Sequence, residues 1–338
     1  MFRRFSPERC YIIAEIGGNF TDVGQAKRLV DAAKYAGADA VKLQTYRADT
    51  VASRKAVFDM ENTGKVSQHE LFKKYEIGEA LHEQVFEYAG KQGLDWFSTP
   101  AHESDVDLLE RLGVEVYKIG SDDAVNQPFL RYVARRGKPI ILSTGMCTLE
   151  EVSASVKVIL EEGNDKVILL HAITSYPTHP QHVNLRAMQA LMREFPQFPV
   201  GYSDHTLSPV ACLCAAAMGA RVLEKHLTYD KRADGPDHML SAEPEEMKWL
   251  VDAVRAFEVM RGSGIKQPAE SEQGTRANNR KSVVLDRPIS SGDALTREHL
   301  AIKRPGYGIA PMHFESLLGR RVRRDLEADA VLAWEDLQ

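Results

Sequence analysis

The sequence predicts an α/β protein: a (β/α)8 TIM barrel followed by a small β-rich domain. Eight short apolar segments rich in β-branched residues alternate with segments whose apolar residues recur three and four positions apart. This repeat covers about 250 residues, the usual size of such a barrel. An open doubly wound sheet would favour a GxGxxG turn after its first strand, but the chain reads GGNFTDVG there.

The predicted strands are residues 11–17, 40–45, 95–100, 116–121, 139–145, 167–177, 199–205 and 221–227. The stretch between the first two, GQAKRLVDAAKYAG, has a helical pattern and ends in glycine, as do several later ones. Segment 46–77 is a long insertion between the second strand and its helix. Because βα connections lie at the catalytic face of a barrel, it predicts a lid or substrate wall, the alternative being a surface excursion.

The predicted barrel domain covers residues 1–261, and a polar linker covers residues 262–280. Residues 281–338 contain short β-like runs and the turn SSGD, and we predict a separate β-rich domain there. A unit of roughly 55–60 residues has little core of its own, so we expect it to pack on a larger body.

Composition narrows the class of protein. The chain has 338 residues, of which 43% are hydrophobic and 27% charged, with a formal net charge of −5. These values are typical of soluble globular proteins and predict neither a nucleic-acid partner nor a membrane partner. No apolar run reaches the roughly 20 residues of a membrane span, and no signal peptide is evident. The four cysteines lack CxxC spacing, so we expect reduced thiols and a cytoplasmic location.

Polar side chains occur where each predicted strand ends. They are Glu15, Lys42, Gln44, Ser98, Thr99, Lys118, Ser121, Ser143, Thr144, His171, Thr174, Ser175, Ser203, His205, Glu224 and His226. Side chains alternate faces along a strand, so Lys42 shares a face with Gln44, and Glu224 with His226. Since buried charges are costly unless matched by ligands, we predict that these ends form one site.

The residue types indicate what this site binds. Lys42 and Lys118 are cations with hydroxyls nearby, a set suited to a phosphate together with a carboxylate. His205 and His226 end neighbouring strands and suit a divalent metal with open positions. A Ser-His-Asp triad from the stretch SDH is not expected, because adjacent residues of a strand point apart.

The motifs YIIAEIGGN, AGADAVKLQTY, FSTP, VYKIGSDD, KPIILSTGM, LLHAITSYPT, VGYSDHT, GARVLEKHLT, GPDHMLSAEP and IKRPGYGI resemble, in order, those of the sialic acid synthases and the wider nonulosonic acid synthases. The resemblance covers residues 11 to about 336 and includes the C-terminal antifreeze-like (SAF) domain. It implies condensation of phosphoenolpyruvate with an open-chain N-acyl hexosamine of the N-acetylmannosamine type. The products are an N-acetylneuraminate-type 2-keto sugar acid of nine carbons and phosphate.

The resemblance also implies a divalent cation, most often Mn2+ with Mg2+ or Co2+ as alternatives, and a domain-swapped homodimer. The roles that it implies are as follows: Glu15, Lys42 and Lys118 as catalytic residues; Gln44, Thr99, Ser121, Ser143, Thr174, Tyr176, Ser203, Asp237 and Arg304 as substrate contacts; His205 and His226 as metal ligands. Arg304 would act in the partner subunit's site. The chain has Phe20 where the family usually has histidine, so a polar group near the sugar or phosphate is either missing or supplied from elsewhere. It has Thr174 where the family often has Ser or Asn, and since a hydroxyl is kept, we expect this change to be tolerated.

Other substrates stay open at this point. A 6-deoxy diacetamido hexose would make the chain a pseudaminic or legionaminic acid synthase. A 6-phosphorylated acceptor would make it a sialic acid 9-phosphate synthase. A different class, a non-catalytic carbohydrate-binding or spore-coat polysaccharide protein, is disfavoured by the complete set of lysines and histidines.

Overall fold

A computed structural model of the chain describes residues 5–6, 8–61 and 63–338. The strands are β1 (Tyr11–Glu15), β2 (Ala40–Thr45), β3 (Val57–Met60), β4 (Gly64–Ser67), β5 (Asp95–Pro100), β6 (Tyr117–Ile119), β7 (Ile140–Ser143), β8 (Val167–Ala172), β9 (Val200–Asp204), β10 (Val222–His226), β11 (Ser282–Leu285) and β12 (Leu300–Lys303). The helices are α1 (Val23–Ala36), α2 (Ala48–Val51), α3 (Gln68–Tyr75), α4 (Glu79–Lys91), α5 (Glu103–Arg111), α6 (Gln127–Ala134), α7 (Leu149–Glu161), α8 (Leu185–Glu194), α9 (Val210–Ala217), α10 (Pro244–Met260), α11 (Gln273–Asn279) and α12 (Phe314–Leu317).

Among the described residues, eight strands close a barrel in the order β1-β10-β9-β8-β7-β6-β5-β2. All neighbouring strands in it are parallel. The predicted (β/α)8 barrel is therefore confirmed, and the open doubly wound sheet is excluded. Several strands are shorter than predicted: β8, for example, ends at Ala172, since the chain then turns toward Pro177.

Local sequence signals set the bounds of the helices. Helix α1 begins after Asp22, whose carboxylate accepts hydrogen bonds from the amides of Gly24 and Gln25. It ends at Gly37, which has the left-handed φ of 82° that glycine adopts without steric cost. Helix α7 begins with a capping box between Thr148 and Glu151. These caps orient the helices whose apolar faces cover the barrel.

The alternation of side chains separates two layers of core. One layer, between the strands and the helices, includes Ile12 and Ala14 of β1. The other fills the inside of the barrel with Tyr11, Ile13, Ala40, Phe97, Val116, Ile141, Ile168, Leu170 and Val222. Gly201 takes an inward position where a Cβ atom would lie 2.8 Å from the Leu170 side chain and would clash with the backbone of Val222. The interior is thus too crowded there for any larger residue.

The insertion after β2 forms a small structure of its own. It contains α2, an antiparallel hairpin of β3 and β4, and α3, which begins after the capping side chain of Ser67. The rings of Phe72 and Phe58 meet at 5.6 Å, edge to face, and hold the hairpin against α3. The hairpin was not predicted from the sequence.

Residues 262–338 form a second compact unit, and the first ends at Arg261. Strands β11 and β12 pair antiparallel, and single bridges such as that between Ile289 and Leu326 extend the β structure. Its core includes Val283, Leu285, Leu317 and Leu332. Within the predicted linker, α11 forms a short helix.

Two further observations concern the whole chain. Cys10, Cys147, Cys212 and Cys214 are all free thiols. None of the helices in the described ranges combines the length and the apolar character that crossing a lipid bilayer requires.

Candidate active site

The inward row of each barrel strand continues from the apolar interior into a polar end. On β1 the row runs Tyr11, Ile13 and Glu15, and on β10 it runs Val222, Glu224 and His226. Because side chains on a strand alternate between faces, the residue two positions after the last core residue also points inward and lies in the site. The same rule brings Lys42, Thr99, Lys118, Ser143 and Ser203 to the carboxyl end of the barrel.

These side chains surround one cavity of about 450 Å³, a volume suited to a small polar ligand. The predicted site residues that line it are Lys42, Gln44, Thr99, Lys118, Ser121, Ser143, Thr174, Tyr176, Ser203, His205, His226 and Asp237. Glu15 lies beside the lining, fully buried, in an ion pair with Lys42. Arg304 is exposed and belongs to the second unit.

Two buried lysines carry the positive charge of the cavity. Lys42 donates a hydrogen bond of 2.9 Å to Thr99 and lies 3.7 Å from the Glu224 carboxylate. Lys118 donates a hydrogen bond of 2.7 Å to Ser143 and lies 3.9 Å from the other Glu224 oxygen. Each ammonium is therefore paired with a hydroxyl and shares one carboxylate with its neighbour. A bound anion would find two charged donors and two hydroxyls in one place.

The carboxylates decide how firmly each lysine holds its proton. Burial disfavours the charged form of Lys42, but Glu15 and Glu224 outweigh burial and raise its pKa. Lys118 has weaker carboxylate support, so burial lowers its pKa to about 8. Burial also disfavours ionised Glu224, but Lys118 and Lys42 together lower its pKa. Near pH 7 the cavity therefore holds two ammonium groups.

Glu15 is a buried carboxyl whose pKa lies above its ordinary value. Burial is the largest influence and raises its pKa, and the nearby Glu224 carboxylate adds to this, against the opposing effect of Lys42. One oxygen accepts a hydrogen bond of 2.6 Å from the amide of Gly17. The amide of Gln44 lies 3.5 Å from the same oxygen. Glu15 therefore lies between Lys42 and Gln44.

His205 and His226 lie side by side, with ring centroids 5.4 Å apart. The Nδ1 atom of His205 is 2.8 Å from the carbonyl oxygen of Ile173. Because a carbonyl can only accept, Nδ1 carries the proton and Nε2 presents a lone pair. Burial lowers the pKa of His205 to about 4 and that of His226 well below its usual range, so both rings are neutral.

These histidines fit a divalent metal. Nδ1 of His226 is buried without a hydrogen-bond partner among the described residues, 3.5 Å from a carboxylate oxygen of Asp237. Neutral imidazoles with a carboxylate beside them are a donor set for first-row divalent ions. Within the described ranges no group of three or more His, Cys, Asp or Glu side chains is arranged to hold a metal. The protein would therefore contribute two imidazoles and leave the other positions open.

The loops after the strands complete the cavity. The amide of Gly145 donates a hydrogen bond of 2.9 Å to Ser121, and a Cβ atom at position 145 would clash with Thr174. The rings of Tyr176 and His205 have centroids 4.2 Å apart. Burial, together with the charge of Glu15, raises the pKa of Asp237 to about 7.

Three expectations about single residues can be compared with the structure. Phe20 is buried in the hydrophobic core and does not line the cavity, so it offers no polar contact to a ligand there. Asp204 points away from the site into a pair with Lys225 at 2.9 Å, which rules out a triad from SDH. Glu224, predicted to be one polar strand end among many, is the carboxylate between the two lysines. Its spacing of two residues from His226 was the available signal.

A closed (β/α)8 barrel that gathers two buried lysines and two neutral histidines at its carboxyl end has the arrangement of a barrel enzyme's active site. Comparison with known proteins gives the family. Residues 29–266 match the NeuB family, and residues 280–338 match the SAF domain. The chain therefore belongs to the NeuB family, the nonulosonic acid synthases, which are phosphoenolpyruvate-using transferases that form a carbon–carbon bond.

Three relatives are similar over most of their length. An N,N'-diacetyllegionaminic acid synthase of Legionella pneumophila is 43% identical, over 99% of this chain and 96% of the relative. A pseudaminic acid synthase of Campylobacter jejuni is 34% identical, over 98% and 97%. The crystal structure of an N-acetylneuraminic acid synthetase from Leptospira borgpetersenii has a TM-score of 0.71 and 33% identity, covering 80% of this chain and 90% of that one.

Proposed function

We propose that the chain condenses phosphoenolpyruvate with an open-chain N-acyl hexosamine and water, giving a nine-carbon 2-keto sugar acid and phosphate. The observation that carries this proposal is the convergence of two buried lysines with two neutral histidines in one cavity. The lysines suit a ligand that bears both a carboxylate and a phosphate. The histidines suit a metal ion that would activate a carbonyl group next to this ligand.

The roles of this chain's residues follow from their positions. Lys42 and Lys118, with the hydroxyls of Thr99 and Ser143, bind and orient the phosphate and carboxylate. C3 of phosphoenolpyruvate forms a bond with the aldehyde carbon of the sugar, and water adds to C2. Cleavage of the C2–O bond to phosphate then leaves the keto group. The two ammonium groups stabilise the negative charge throughout, and Glu15 takes the proton of the attacking water.

A divalent cation, with Mn2+ as the first choice and Mg2+ or Co2+ as alternatives, would be held by His205 and His226 and would polarise the aldehyde oxygen as a Lewis acid. The polar groups between the histidines and the insertion contact the sugar. These are Gln44, Tyr176 and Asp237.

For the acceptor we propose a 6-deoxy diacetamido hexose, so that the product is of the legionaminic type. Support comes from the 43% identity to a legionaminic acid synthase, against 34% and 33% for the pseudaminic and N-acetylneuraminic relatives. N-acetylmannosamine, the acceptor first expected from the sequence, and its 6-phosphate are the alternatives.

We propose further that the working form is a domain-swapped cytoplasmic homodimer in which Arg304 reaches the partner's cavity. Arg304 is exposed and directly follows β12 in a unit with a small core of its own. An arginine at an anionic ligand suits bidentate contact with a carboxylate or an amide oxygen.

Phosphate release from phosphoenolpyruvate tests the function. The purified protein with Mn2+ should release phosphate only when an N-acyl hexosamine is present, and mass spectrometry should find a product carrying three added carbons. Release without any acceptor, or release without a new 2-keto acid, would contradict the proposal.

A further inference from the structure

The insertion after β2 gives the active-site cavity an apolar side. Its apolar lining residues, which we call the distal wall, are Val51, Phe58, Leu71, Phe72 and Tyr75. Phe72 lies at its centre, with ring centroids 5.0 Å from Tyr46 and 5.6 Å from Phe58, both edge to face. These contacts fix the rings in place, so the wall presents a preformed apolar surface to the cavity.

Two polar side chains beside this wall are already engaged. The hydroxyl of Thr63 donates a hydrogen bond of 3.0 Å to the carbonyl of Gly64. The amide of Gln68 donates one of 3.3 Å to the carbonyl of Val57. Both residues line the cavity, yet both donors face the hairpin of β3 and β4. A ligand hydroxyl pressed against the wall would therefore lose water without gaining these donors as partners.

The wall and the anion site meet different parts of the acceptor. The aldehyde carbon must approach phosphoenolpyruvate, which the lysines hold at the strand ends. We place the far end of the open chain, from C4 to C6, against the insertion, which follows β2 and forms the apolar side of the same cavity. The candidate acceptors differ at this far end. N-acetylmannosamine carries hydroxyls at C4 and C6, whereas the 6-deoxy diacetamido hexose carries an acetamido group at C4 and a methyl group at C6.

We infer that the distal wall is the specificity determinant of the enzyme and selects acceptors that are apolar at C6. This inference rests on the proposed function and deepens it. A hydrophobic pocket distinguishes ligands that differ by one methyl-sized group by about 10–200-fold. The two acceptors differ by such a group at C6, so the wild-type chain should favour the 6-deoxy diacetamido hexose over N-acetylmannosamine by at least about tenfold in kcat/KM.

Adjacent residues of β3 provide a matched test. Phe58 lines the cavity, while Val57 is 48% exposed and does not line it. Phe58→Ser should reduce the preference for the 6-deoxy acceptor by about tenfold and leave the KM for phosphoenolpyruvate unchanged. Val57→Ser should leave the preference as it is. Phosphate release at saturating phosphoenolpyruvate measures kcat/KM for each acceptor.

A second variant, Leu71→Ser, decides the question if circular dichroism shows that Phe58→Ser does not fold. An unchanged preference in the folded variants would overturn the inference, as would equal kcat/KM for both acceptors in the wild type; either result leaves the proposed function intact. No phosphate release with any N-acyl hexosamine would overturn the proposed function, and this inference with it.

Discussion

Lys118 donates a hydrogen bond of 2.7 Å to Ser143 on the neighbouring strand β7, and both side chains are buried. The carboxylate of Glu224, 3.9 Å away, is its largest electrostatic support. Burial outweighs that support and lowers the pKa of Lys118 to about 8. Since only the protonated amine attracts an anion, the strength of this half of the site depends on pH near neutrality.

We predict that kcat/KM for phosphoenolpyruvate falls as the pH rises through about 8. Lys118 is charged below its pKa of about 8 and neutral above it, so the loss approaches tenfold per pH unit on the alkaline side. Lys118→Arg should remove this alkaline limb, because a guanidinium stays charged. Steady-state kinetics between pH 6.5 and about 9.5 measure the profile. An alkaline limb that persists in Lys118→Arg would assign the titration to another group.

Glu224→Gln should move the same limb to lower pH. The carboxylate raises the pKa of Lys118 against burial, so its removal lets the pKa fall further, by about one unit or more. The measurement is the same pH profile, compared with that of the wild type. A limb that stays in place or moves to higher pH would show that Glu224 does not support the charge of Lys118.

Much of the barrel and its site could be predicted because both follow from the period of two. On most barrel strands, the inward apolar residues are followed two positions later by an inward polar residue at the cavity. This spacing is why Lys42, Lys118 and His226 could be predicted as site residues. Glu224 was not singled out, since its importance depends on two lysines that come from other strands. The burial of Phe20 in the core could not be predicted, because a position in a motif does not say which way a loop side chain points.

The insertion was harder to interpret than the barrel. Its length and place predicted a wall or lid, and it does line the cavity. The hairpin of β3 and β4 has only four residues in each strand, too few for a clear alternation in the sequence. It is fixed by tertiary contacts instead, such as the ring pair of Phe58 and Phe72. Contacts of this kind are set by the fold and are not visible in local periodicity.

Metal removal should abolish turnover. We predict that EDTA stops phosphate release and that Mn2+ restores it, because neutral imidazole rings such as those of His205 and His226 are suitable ligands for a divalent ion. Loss of a residue that only hydrogen-bonds to a metal ligand weakens metal binding by roughly 10–100-fold. His226→Ala removes a ligand itself, so it should weaken Mn2+ binding by more than this. Electron paramagnetic resonance of free Mn2+ gives the affinity independently of activity. His182→Ala, at an exposed position outside the cavity, is the control. Unchanged Mn2+ affinity in His226→Ala would rule out this ligand.

The buried pair behind the site should matter for stability. Lys225 and Asp204 lie 2.9 Å apart and are at most 1% exposed, so Lys225→Met leaves a buried carboxylate without its counter-charge. We expect the free energy of unfolding to fall by about 3–5 kcal/mol. Lys248→Met removes an exposed pair of the same length, 2.9 Å to Asp252, and should cost less than about 1 kcal/mol. Urea unfolding followed by circular dichroism compares the two; equal losses would contradict the expected role of burial.

The last prediction concerns Arg304 and the proposed dimer. If Arg304 serves the partner's cavity, each cavity takes Lys118 from its own subunit and Arg304 from the other. Arg304→Ala and Lys118→Ala should then each inactivate the enzyme, but through different subunits. Mixing the two inactive proteins, with subunit exchange verified by mass spectrometry, should then restore activity. A mixed dimer has one cavity with an intact Lys118 and an intact Arg304 from its neighbour, so random exchange gives half of the dimers one working site each. About a quarter of the wild-type activity is expected, because half of the dimers work at one of two sites.

Mixing Lys118→Ala with Lys42→Ala is the control: both changes lie in the barrel unit, and exchange leaves every cavity with one damaged lysine. Recovery in the control, or no recovery with Arg304→Ala after verified exchange, would show that the arginine does not act across the dimer.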